Sequence, residues 1–122
     1  MKRAESLEDY LKVIYTLSLD KKIVRAIDVA KYLSFSRPTV SVALKQFRDA
    51  GYLTVDDYAI QLTEKGTEIA LSVFERHEVL EQILIKLGVD KETAHNDAHL
   101  LEHDLSDKSF EAVRKAAKKM MK

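Results

Sequence analysis

All four histidines of the chain fall within the 27 residues from His77 to His103, three of them in the run HNDAHLLEHD. On a helix turning about 100° per residue, His95, His99, Glu102 and His103 share one sector, beside an apolar seam of Ala94, Ala98, Leu101 and Leu105. Neutral imidazole nitrogen and carboxylate oxygen suit divalent ions from manganese to zinc, and side chains three or four apart on a helix are neighbours able to meet one ion. His99, Glu102 and His103 have that spacing. His95 and His103 are eight apart, about 12 Å along a helix axis, too far for one ion with bonds of about 2 Å. His95 must find partners elsewhere, and the stretch RHEVLE offers His77 and Glu81, four apart. Two neighbouring divalent-metal sites per chain are expected.

Clustered His and Glu also build catalytic centres, so a metalloenzyme with a His/Glu di-metal site on a helical scaffold is the alternative. The motifs fit it poorly. HEVLE is not H-E-x-x-H, and Glu92 to His95 is a single Glu-x-x-His where a di-iron bundle needs two, with further glutamates. There is no Gly-rich phosphate loop and no nucleophile elbow, so no enzyme is expected. The chain has no cysteine, which removes disulfides and thiolate metal sites and leaves nitrogen and oxygen as the ligands.

The elements that must position these residues are mostly helical. With 122 residues, 46% of them hydrophobic, the chain makes one domain or two small ones sharing a core. No apolar run approaches the roughly 18 residues of a membrane span, and MKRAESLEDY lacks the apolar stretch of a signal peptide, so a cytoplasmic protein without a membrane partner is expected. Formal net charge is zero, yet residues 1–50 carry ten Lys or Arg against six Asp or Glu, and residues 51–122 carry ten against fourteen. The basic half is the one to test for nucleic acid.

Leu7, Tyr10, Leu11, Ile14 and Leu17 recur at helical spacing behind Ser6 as N-cap, which predicts a helix over about 6–19. AIDVAKYL predicts a short second helix with Ile27, Ala30 and Leu33 inward. A third begins at SRPTVS, capped by Ser36, with Pro38 tolerated in its first turn and Gly51 as its stop. YLTVDDYAIQLT reads as a hairpin turning at Asp56 and Asp57. Thr63 then caps a long helix through Leu87, with Gly66 in its first turn and Gly88 as its stop. Two more helices open at Asp90 and about Ser106.

Helix, helix, helix and hairpin in that order predict a mainly α fold: a winged helix-turn-helix over residues 1–66, then a helical metal-binding and dimerisation domain over residues 67–122. In the third helix Val40, Ala43, Leu44 and Phe47 would face the core, leaving Arg37, Pro38, Ser41, Val42, Lys45 and Arg48 outward. Arg and Lys bind phosphate or guanine, Ser36, Ser41 and Thr39 bind phosphate, and Pro38 and Val42 reach thymine methyl groups. The candidate DNA surface is therefore Ser36, Arg37, Pro38, Thr39, Ser41, Val42 and Lys45. Spare apolar surface at Val79, Leu80, Ile83, Leu84 and Leu100 points to a symmetric homodimer, whose reading helices would sit about 34 Å apart on an inverted repeat.

These residues resemble the diphtheria toxin repressor family of metal-dependent transcriptional regulators, and in particular its short manganese-regulator branch. The resemblance covers nearly the whole chain through SLEDYLKVIYTL, SRPTVS, LTEKG, RHEVLEQIL and NDAHLLEHDLS. It implies a dimeric repressor that binds a divalent metal and then double-stranded operator DNA to silence metal-uptake genes. It also implies that Asp9 joins His99, Glu102 and His103 as a ligand from the first helix, and that His77, Glu81 and His95 form a second, ancillary site.

The chain departs from the family pattern at several positions. Lys12 stands where manganese regulators have a glutamate ligand, His99 where they have a glutamate and iron regulators a cysteine, and Val42 where iron regulators have a glutamine. The wing, with Asp56 and Asp57, is short and acidic. Long iron-type members complete the ancillary site from a further domain; here the chain stops before it, and water or a small anion is expected to finish the shell. The ligand set accepts every metal from manganese to zinc; Fe(II) or Mn(II) is expected, with Zn(II) as the rival.

Overall fold

A computed structural model describes residues 3–121, with side chains from Leu7 onward. The order is α1 (Arg3–Asp20), α2 (Ala26–Leu33), α3 (Arg37–Asp49), β1 (Leu53–Asp56), β2 (Ala59–Leu62), α4 (Glu64–Lys86), α5 (Lys91–Asp104) and α6 (Asp107–Met120). It is the mainly α, winged helix-turn-helix order expected from the sequence. The chain forms two compact units that divide inside α4, between Leu71 and Ser72.

In the first unit, α1 is already helical at Arg3, so Ser6 lies inside the helix and is not its N-cap. Tyr10, Leu11 and Ile14 are buried as their spacing predicts, and Val13 joins them. Tyr10 meets Phe47 edge-on at 5.3 Å between ring centres. Burial raises the Tyr10 hydroxyl pKa above its ordinary value. In α2 the buried residues are Val29 and Ala30, while Ile27 and Leu33 are only half-buried. The inward face is rotated because this two-turn helix packs against both α1 and α3. Ser36 caps α3 by accepting from the Thr39 N–H at 3.3 Å. Gly51, at φ 90, lets the chain leave that helix in the left-handed conformation.

The hairpin pairs Leu53 with Leu62 and Asp56 with Ala59, so Asp56 belongs to the strand and the turn is Asp57–Tyr58. Both turn residues have positive φ, 51 and 67, as a two-residue type I′ turn requires. Ile60 also donates to the Val24 carbonyl at 2.8 Å, so the segment after α1 leans on the wing's second strand. Thr63 secures the next junction twice: its hydroxyl donates to the Gly51 carbonyl at 2.7 Å and accepts from the Gly66 N–H at 3.1 Å. A Cβ on Gly66 would stand 2.0 Å from the Tyr52 carbonyl oxygen, so glycine is required there.

The second unit holds the rest of α4 with α5 and α6. Gly88, at φ 103, follows the end of α4. Asp90 caps α5 through the Thr93 N–H, and that hydrogen bond holds its carboxyl below the ordinary carboxylate range. Ser106 caps α6 through the Ser109 N–H. The expected apolar seam of α5 is corrected by the packing: Ala94 and Ala98 are fully buried, but Leu101 is exposed and Leu105 half-buried, and the third buried position belongs to Glu102. Of the residues expected to be spare apolar surface, Leu80 is buried; Val79, Ile83 and Leu84 are half-buried and Leu100 is exposed. Among the described residues no helix is long and apolar enough to cross a membrane.

Candidate metal centre and DNA-binding face

His77 and Glu81 lie one turn apart on α4, and α5 brings His95 to them. The His95 Nδ1 is 2.7 Å from Glu81 Oε1 and 3.2 Å from His77 Nε2, and His77 Nε2 is 3.6 Å from the same glutamate oxygen. His77 is buried, and its other nitrogen donates to Glu102 Oε1 at 2.8 Å. That hydrogen bond fixes the proton on Nδ1, orients the ring and leaves the Nε2 lone pair facing Glu81 and His95. It is the arrangement by which carboxylates prepare a histidine for a metal.

Glu102 is 1% exposed and turns its second oxygen the other way. Glu102 Oε2 lies 3.6 Å from His103 Nε2 and 3.9 Å from His99 Nδ1. His99, Glu102 and His103 each offer a donor atom within 4.8 Å of the others, as do His77, Glu81 and His95. The first set has one exposed, one half-buried and one buried member, so it is open on the His99 side. Both sets are mixed imidazole and carboxylate at separations that one small cation can span, so the residues present fit a divalent metal of the first transition row. Glu102 belongs to one set and orients a member of the other. Asp9 lies half-buried in the second turn of α1, in the first unit.

Arg76 was not anticipated. It is buried beside His77, and its guanidinium donates to the carbonyls of Leu105 at 2.6 Å and Glu102 at 3.3 Å. It also pairs with Asp107 Oδ1 at 2.6 Å and lies 4.9 Å over the Phe110 ring. A cation thus sits at the carboxyl end of α5 and the amino-terminal turn of α6, where the helix dipoles favour it and its partner. The signal was present in the spacing: Val73, Arg76 and His77, and Leu80 recur along the inward face of α4, so the arginine had to be buried or bend away.

In the first unit Ser36, Arg37, Pro38, Thr39, Ser41, Val42 and Lys45 are all exposed, on the side of α3 opposite buried Val40, Leu44 and Phe47. Val42 is 61% exposed although it is apolar. Ser36 also donates to the Thr39 hydroxyl at 2.8 Å, ordering the start of this face.

Comparison with known proteins joins the two surfaces. Residues 3–59 match the N-terminal DNA-binding domain of the iron-dependent repressors, and residues 63–122 match their metal-binding and dimerisation domain. The HTH-type transcriptional regulator MntR of Lysinibacillus sphaericus is 36% identical over 109 residues, spanning 88% of this chain and 78% of that one. The chain belongs to the iron-dependent repressor family. It is a metal-sensing, DNA-binding transcriptional regulator of that family.

A transcriptional regulator of Methanocaldococcus jannaschii is 33% identical with 91% of both chains covered. A manganese-dependent transcriptional repressor in complex with manganese superposes with a TM-score of 0.83 at 30% identity, over 92% of this chain but 52% of that one. The manganese regulator SloR gives 0.78 at 32% identity and 53% of its length. The chain spans about half the length of these solved repressors.

Proposed function

We propose that the protein is a cytoplasmic, homodimeric repressor of metal-uptake genes, without enzymatic activity, that binds two Fe(II) or Mn(II) ions per chain and then an inverted-repeat operator. Zn(II) is the competing ion. In this reading residues 1–66 bind DNA and residues 67–122 bind metal and dimerise. The primary site is Asp9, His99, Glu102 and His103; the ancillary site is His77, Glu81 and His95. The DNA surface is Ser36, Arg37, Pro38, Thr39, Ser41, Val42 and Lys45.

One observation carries it: two sets of nitrogen and oxygen donors converge within 4.8 Å on α4 and α5 and meet at a buried glutamate. A divalent cation supplies these donors with one common electrostatic partner. His77 presents Nε2 because Glu102 holds its Nδ1 proton, and Glu102 itself faces His99 and His103. Asp9 is assigned by resemblance, as the ligand that family members take from the first helix. If metal binds the DNA-competent arrangement better, it raises DNA affinity, and DNA raises metal affinity by the same factor.

The test is operator binding by fluorescence anisotropy at buffered free Mn(II), Fe(II) and Zn(II), with operators selected by the protein from a random duplex library. A metal-dependent gain of about 5-fold to 150-fold is expected. Binding that is equally tight without metal would remove the sensing function.

A further inference from the structure

Two adjacent residues of α4 hold one glutamate of α5 from different directions. His77 donates through Nδ1 to the Glu102 side chain at 2.8 Å, and Arg76 donates through Nη1 to the Glu102 backbone carbonyl at 3.3 Å. The first bond orients a histidine. The second fixes the main chain of a metal-ligand candidate.

The way α5 ends gives that main-chain bond its weight. The last four carbonyls of a helix have no amide partner within it, and helix ends fray. A left-handed glycine commonly closes such an end. There is no glycine between Leu101 and Asp107, and the C-cap residue, Leu105, has extended backbone. Its N–H reaches the Leu101 carbonyl at a long 3.4 Å. Glu102 and His103 both lie in this last turn. Arg76 closes it instead: its guanidinium bonds the carbonyls of Glu102 and Leu105, and the Asp107 carboxylate in the first turn of α6. The group is buried over the Phe110 ring at 4.9 Å, which holds the planar fork in one place.

We propose that Arg76 is a positioning residue for the primary metal site: by fixing the last turn of α5 it keeps Glu102 Oε2 and His103 Nε2, 3.6 Å apart, where they can meet one ion with His99. It rests on the reading that His99, Glu102 and His103 bind a divalent metal. The arginine one residue before an ancillary ligand thus serves the other set. Without it the ion itself would have to order the turn, and that cost would appear as weaker binding.

The test uses the full chain in a His95→Ala background, which disables the ancillary site, with Co(II) as the probe because its visible absorption reports the arrangement of its ligands. Arg76→Gln should weaken Co(II) binding about 10-fold to 100-fold, the size expected for losing a group that orients ligands, and should change the visible spectrum. Arg76→Lys keeps the charge but not the fork, so its affinity should fall between the two. Val73→Ala truncates a buried residue one turn earlier on α4, which lowers stability without removing a hydrogen bond; it should keep parental affinity and spectrum. Parental affinity in Arg76→Gln, or an equal loss of affinity in Val73→Ala, would overturn the positioning role. If Arg76→Gln does not fold, Arg76→Lys decides, because parental affinity and spectrum there would show that the fork is not needed. A His95→Ala chain that binds no Co(II) would instead contradict the metal site of the proposed function.

Discussion

Glu102→Gln removes one charge from the centre of the site and keeps the shape of the side chain. In the metal-free protein the main change within the second unit is at His77, whose 2.8 Å hydrogen bond passes from a charged to a neutral acceptor. Charge-assisted hydrogen bonds contribute about 1.5 to 3 kcal/mol and neutral ones about 0.5 to 1.5, so a loss of about 1 kcal/mol is expected. With metal the change is larger. The carboxylate faces His99 and His103 as a ligand of their set, and since loss of even an orienting partner weakens metal binding about 10-fold to 100-fold, loss of this ligand should cost at least that. At a free ion concentration about 100 times the parental Kd, binding stabilises the parent by about 2.7 kcal/mol; a Kd about 100-fold weaker leaves about 0.4 kcal/mol at the same concentration. For a chain of this size the metal-induced rise in Tm should shrink from about 10 °C to about 2 °C. Circular dichroism melts at buffered Mn(II), with the ancillary site disabled in both proteins by His95→Ala, measure it. A Glu102→Gln protein that keeps the parental metal-induced shift would refute the role given to this carboxylate.

Elemental analysis of metal-saturated protein should find two ions per chain, and His95→Ala, which removes the group 2.7 Å from Glu81, should retain one. Arg76→Gln should cost about 3 kcal/mol in urea titration, mainly through the buried carbonyl of Glu102 and the part-buried carbonyl of Leu105. The Asp107 pair adds little to that cost, because its carboxylate is fully exposed. Gly66→Ala drives a Cβ to within 2.0 Å of a backbone oxygen and should destabilise the first unit by about 3 kcal/mol, again read by urea titration.

The parts of this structure that were legible in the sequence are those governed by local chemistry. Ser36, Thr63, Asp90 and Ser106 are each side-chain caps that bond an N–H three residues on, so their positions announce helix starts without knowledge of the rest of the fold. The one-turn spacing of His77 and Glu81 likewise places both on one face before any packing is known. What was not legible depends on partners distant in sequence. Which of Leu101 and Glu102 turns inward is decided by how α5 lies on α4, where His77 offers the glutamate a hydrogen bond that a leucine cannot use. The Val24–Ile60 bridge joins segments 36 residues apart and has no local signature. The hairpin turn slipped by one residue, from Asp56–Asp57 to Asp57–Tyr58, because Tyr58 is an unusual residue for positive φ. Arg76 escaped because an arginine is ordinarily a surface residue, and its burial is made tolerable by partners distant in sequence, the carbonyls of Glu102 and Leu105 and the carboxylate of Asp107.

The central claim is that a metal held with Asp9 controls DNA binding, and the most direct measurement is operator affinity by anisotropy with and without buffered Mn(II) in the parent, Asp9→Ala and Lys12→Ala. The parent should gain about 5-fold to 150-fold on metal loading. Asp9→Ala should keep its fold and dimeric state by circular dichroism and light scattering yet lose most of that gain, while Lys12→Ala changes it much less. An Asp9→Ala protein with the full parental gain would contradict the proposed switch.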